Sequence, residues 1–108
     1  MPHVAATLND LGILNSDQNR MKEARKEYEE ALKTYRELAQ KNPETYLPYV
    51  AMTLNNLGIL DSDQNRMAEA RKKYEEALKI YEAFAEQDPE QFTTDVKRLK
   101  KLLQELPK

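Results

Sequence analysis

The chain has 108 residues, 40% of them hydrophobic and 33% charged, with two glycines and no cysteine, which bounds it to one domain with one core and favours solvated helices over sheet or disorder. Seventeen basic residues interleave with 19 acidic ones to a net charge of −2, so the broad basic field that nucleic acid or an anionic membrane requires is missing. Disulfides, thiolate metal sites and cysteine nucleophiles are excluded outright.

The chain repeats itself. Residues 4–49 match residues 50–95 without a gap at 29 of 46 positions, 25 of them in the first 30 positions and 4 in the last 16. The first two thirds of the unit is thus its constant element and the rest a more tolerant connection. A single domain over 1–108 is expected, with repeat one at 4–49, repeat two at 50–95 and a closing helix at 89–106.

Five helices are predicted, at 3–16, 20–41, 43–62, 66–87 and 89–106, joined by short connections that make neighbours antiparallel. The first begins at "MPHVAATLND" with no cap before it. The second places Met21, Ala24, Tyr28, Ala31, Leu32, Tyr35, Leu38 and Ala39 on one stripe, with charges opposite. The third opens on Asn42, Pro43 and Glu44, an N-cap, a first-turn proline and a first-turn acid. It carries Val50, Leu54, Leu57 and Leu60 on one face. Pro48, in its second turn, is expected to kink or delay it. The fourth repeats the stripe of the second through Met67, Ala70, Tyr74, Ala77, Leu78, Tyr81, Phe84 and Ala85. The fifth opens on Asp88, Pro89 and Glu90, turns Val96, Leu99, Leu103 and Leu106 inward, and presents Lys97, Arg98, Lys100, Lys101 and Glu105 as the outer side of a cap.

Between the third and fourth helices, "DSDQNRM" sets Asp61, Asp63 and Asn65 at alternate positions, like the opening ligands of a calcium loop. Arg66 stands where such a loop needs glycine and Lys72 where it needs its bidentate glutamate. The stretch therefore reads as a turn, with Asn19 and Asn65 in the left-handed conformation that ends a helix.

The pattern "TLNNLGIL…NRMAEARKKYEEALKIYE" (53–82) resembles a tetratricopeptide repeat, most closely the long-repeat variant of kinesin light chains and related bacterial proteins. Gly12 and Gly58 match its small residue at the helix crossing; Leu8, Leu11, Leu54 and Leu57 match its large apolar positions. Ala24, Tyr28 and Ala31, and Ala70, Tyr74 and Ala77, match its small–aromatic–small pattern, and Pro43 and Pro89 its closing proline. The resemblance implies an all-α, alpha-alpha superhelix of helical hairpins. Two departures stand out: the unit exceeds the usual repeat of about 34 residues, and Asn15 and Asp61 replace an aromatic. A tyrosine at position 61 is expected to stabilise the fold.

Nothing in the sequence argues for catalysis. His3 is the single histidine, and Ser16 and Ser62 have no histidine placed to activate them. No cofactor or metal site is expected. The resemblance implies instead a concave groove for a partner's peptide or helix, lined by Asn9, Ile13 and Ser16 from repeat one and Met52, Asn55, Asn56, Ile59 and Ser62 from repeat two, with Arg98 and Lys101 as its basic groups. Amides suit the backbone of an extended peptide; Ile13 and Ile59 belong either to the groove or to the core. The lysine-rich carboxylate clamp of chaperone-binding members is not reproduced, since Asn9 and Asn55 stand in its place. The alternative is a self-associating fragment of a longer array, or an engineered repeat protein, whose uncapped first helix is covered by symmetric pairing or swapping. The longest uncharged run, 45–60, includes Pro48, Asn55 and Asn56 and is too short and polar to span a bilayer. With no signal peptide at the start, a soluble, cytoplasmic protein is expected.

Overall fold

The computed structural model describes residues 2–107. Its helices are α1 (Pro2–Asp17), α2 (Met21–Lys41), α3 (Pro43–Asp63), α4 (Met67–Gln87) and α5 (Pro89–Glu105), each bound within one residue of the expected one.

The ends of the helices follow from local chemistry. Asn19 and Asn65 have φ of 64° and 63°, the left-handed residue after a helix. Around each, the same pair of bonds closes the helix: Arg20 N–H donates to the Asn15 carbonyl at 2.6 Å and Asn19 N–H to Ser16 at 3.0 Å, and Arg66 N–H donates to Asp61 at 2.7 Å and Asn65 N–H to Ser62 at 3.0 Å. α3 and α5 begin differently, with the Asn42 side chain accepting from Thr45 N–H and the Asp88 side chain from Gln91 N–H, both at 3.3 Å, ahead of a first-turn proline. Pro48 does not interrupt α3, which is helical from Pro43 to Asp63. What the proline removes is one bond, the one its N–H would have made to the Glu44 carbonyl.

Successive helices pack against one another, α1 on α2 through to α4 on α5, and α1 also touches α3. The result is a slab of 36 × 35 × 20 Å. Tyr28, Tyr35, Tyr74 and Tyr81 are buried along with the alanines between them. Gly12 and Gly58 are needed because the rings of Tyr28 and Tyr74 lie flush on them: a Cβ at either glycine would sit 2.5 Å from the ring, a spacing no carbon pair tolerates. The close approach is thus of ring to backbone.

The two repeats differ in what covers them. Val50, Leu57 and Leu60 of α3 are 1–2% exposed, with Leu57 and Leu60 packed on Ala24 and Tyr28 of α2. Their counterparts in α1, Val4, Leu11 and Leu14, are 51%, 40% and 50% exposed. At the other end α5 covers α4, burying Phe92, Leu99 and Leu106, with Val96 and Leu103 half-buried against the same core.

The expectation for Asp61 is reversed by its surroundings. Its side chain is fully buried, accepts from Arg25 of α2 at 2.6 Å, and is paired on its other oxygen with Lys73 of α4; Arg25 also donates to Gln64 at 2.6 Å. One carboxylate therefore joins three helices. Tyrosine here would strip two cations of their partner, so it destabilises.

Candidate binding cleft

The first helices of the two hairpins, α1 and α3, and the closing helix α5 carry the sequence-predicted groove residues, and the structure separates those residues into distinct environments. Asn9 is 4% exposed and its Oδ1 accepts from Asn56 Nδ2 at 3.1 Å, joining α1 to α3. This corrects its assignment to an open groove: the amide is spent on helix packing. Ile13 and Ile59 are 41% and 37% exposed, hence on the surface and not in the core. Ser16 and Ser62 are half-buried and Lys101 exposed, and none of the three lines the cleft that opens between α3 and α5.

Met52, Asn55, Asn56 and Arg98 do come together there, in a cleft of about 440 Å³. Aromatic rings wall it: Tyr49, 44% exposed and stacked on Tyr35 at 5.2 Å between centroids, and the buried pair Tyr81 and Phe92, 6.1 Å apart. Pro48 and Met52 add apolar surface, while Thr45, Gln91, Asn55 and Asn56 are its neutral polar groups. Its charges are Glu44, Asp95 and Arg98, the last two paired at 3.0 Å one turn apart on α5. The Tyr81 phenol is held well above its usual range, first by burial and then by the Asp95 carboxylate, with Arg98 acting in the opposite sense.

Several lining residues absent from the predicted groove were nevertheless encoded in helical spacing. Thr45, Tyr49, Met52 and Asn56 recur at steps of four, three and four, and Gln91, Asp95 and Arg98 at four and three, so each set shares one face. Tyr81 had no such signal, because it reaches the cleft from α4, where its stripe reads as core.

One polar atom of the cleft is left over. Asn55 Oδ1 is buried and has no hydrogen-bond partner among the described residues. The repeat explains why: 46 residues after Asn9 comes Asn55, and 46 after Asn56 comes Leu102. The amide pair between α1 and α3 thus has only its acceptor half between α3 and α5.

Two family models, both described as tetratricopeptide repeat, match this chain, one over residues 4–43 and the other over residues 36–83. No curated protein matches it significantly.

Proposed function

The chain belongs to the tetratricopeptide repeat family, and on that premise we propose that it holds a peptide or helix of a partner protein in the cleft between α3 and α5. Repeats of this family are protein–protein interaction modules and not catalysts. The observation that carries the reading to this cleft is its composition: the exposed Tyr49 ring and half-buried Met52 beside the orphan Asn55 amide oxygen and the carboxylates of Glu44 and Asp95. That is the mixture which fixes a peptide's side chains and orients its backbone. Among the described residues no helix is long and apolar enough to cross a membrane. Peptides selected on the folded protein from a displayed random library test the reading. They should lose binding to a Met52→Glu variant that keeps its helical circular dichroism, and equal affinity for both proteins would refute it.

A second reading, self-association, is favoured by the open face of α1, where Val4, Leu11 and Leu14 lie 40–51% exposed. Contiguous apolar surface of this kind marks contact sites, and a two-fold pairing of α1 with its copy would cover it. Sedimentation across a concentration series should show a dimer that Leu11→Lys with Leu14→Lys abolishes. A strict monomer at high concentration ends that reading.

A further inference from the structure

Resting on the reading that the cleft holds a peptide, we propose that the ligand's anchoring residue is basic, an arginine or lysine whose N–H groups enter between α3 and α5.

The first argument is an inventory of hydrogen-bonding capacity. Asn55 Oδ1 is a buried acceptor without a donor, left so because Leu102 occupies the place that Asn56 fills one repeat earlier. The Glu44 carbonyl has lost its helical partner to Pro48, and both residues line the cleft. The Glu44 carboxylate and the second oxygen of Asp95 add further acceptors. The two carboxylates outnumber the lining's one guanidinium, Arg98, which gives one N–H to Asp95. The buried orphan is an acceptor and the lining's charge is net negative, so a guanidinium or ammonium answers both where a carboxylate answers neither.

The second argument is the wall. The Tyr49 ring stacks on Tyr35 with one face and is 44% exposed overall, and Tyr81 and Phe92 lie across from it in the same lining. An aromatic face beside carboxylates attracts a cation. The starts of α3 and α5 lie at the same cleft, and bare helix N-termini would favour an anion. Here both are already answered: Asn42 and Asp88 cap them, each first helical residue is a proline with no N–H to offer, and Glu44 and Glu90 stand in the first turns.

Four capped peptides, acetyl-Ala-Leu-X-Leu-Ala-amide with X as Arg, Lys, Met or Glu, titrated into the ¹⁵N-labelled protein, test this. The Arg and Lys peptides should shift the Asn55 side-chain amide together with Phe92 and Asp95, and bind about tenfold or more tighter than the Glu peptide at low salt. Asn55→Leu removes the orphan acceptor without needing a new partner, so it should stay folded while weakening the Arg peptide about fivefold or more. Asp95→Asn frees Arg98 and should narrow or invert the preference for Arg over Glu. A Glu or Met peptide that perturbs the same residues as tightly as Arg overturns the basic anchor and leaves the cleft standing as a peptide site. Full Arg-peptide affinity in Asn55→Leu overturns the anchoring by the orphan acceptor. If no peptide perturbs the cleft, both the anchor and the peptide-site reading fall.

Discussion

The two repeats are near-copies that solve one contact in opposite ways. In repeat two, Asp61 accepts from Lys73; in repeat one, the residues at the same places are Asn15 and Glu27, and Asn15 donates to Glu27. The donor has changed sides, and the pair of substitutions keeps the hairpin tied. The difference lies outside the hairpin. Asp61 is fully buried because α2 covers α3 and brings Arg25 to it, whereas Asn15 lies on α1, whose outer face no described residue covers, and is only half-buried. A charge buried on both sides needs two cations; a neutral amide at an open face needs none. Near-identical sequence thus yields unequal energetics wherever a neighbour is present on one copy and absent on the other.

The largest contrast should come from stripping that buried charge. Arg25→Met with Lys73→Met leaves Asp61 uncompensated and should cost about 3–5 kcal/mol in urea unfolding, while Glu27→Met in repeat one should cost under about 1 kcal/mol. Similar costs for the two would mean that Asp61 is not sealed. Adding Asp61→Asn to the double variant should recover most of the loss.

Next come the leucines. Leu57→Ala or Leu60→Ala empties a closed contact and should cost about 2–5 kcal/mol; Leu11→Ala and Leu14→Ala, on the open face, should each stay under about 1 kcal/mol at dilute protein. A rise in the latter cost with protein concentration would be the mark of self-association.

The glycines should differ less. Gly58→Ala drives a Cβ into the buried Tyr74 ring and should cost about 1–3 kcal/mol. Gly12→Ala meets Tyr28 at the same distance, but α1 is packed chiefly on one side and can draw back, so its thermal midpoint should fall less.

The tyrosines should not differ at all. Burial, helped by nearby carboxylates, pushes the Tyr28 and Tyr74 phenols from 10.0 up to about 12. Folding therefore favours the neutral ring: this share of stability is complete below pH 10 and is lost as pH rises from 10 through about 12. Tyr28→Phe and Tyr74→Phe should shift alkaline unfolding upward by equal amounts; unequal shifts would show that the two hairpins are not electrostatic copies.

Much of this molecule is a consequence of sequence alone. The helices, their asparagine turns and their proline starts depend on a few neighbouring residues, and the 46-residue period announces the hairpin repeat; local chemistry suffices because each such signal acts within a turn or two of chain. The groove face was legible in part, since Met52, Asn55, Asn56 and Arg98 do share the cleft with Tyr49 and Asp95 at helical spacing. What only the tertiary structure decided are the relations between elements far apart in sequence: that Asn9 is consumed by Asn56, that Asp61 is answered by Arg25 from the preceding hairpin, that Tyr81 reaches the cleft, and that α1 lies open where α3 is covered. Two identical side chains differ in role once one is sealed by a neighbour and the other faces water, because burial sets the cost of every polar group and the worth of every apolar one.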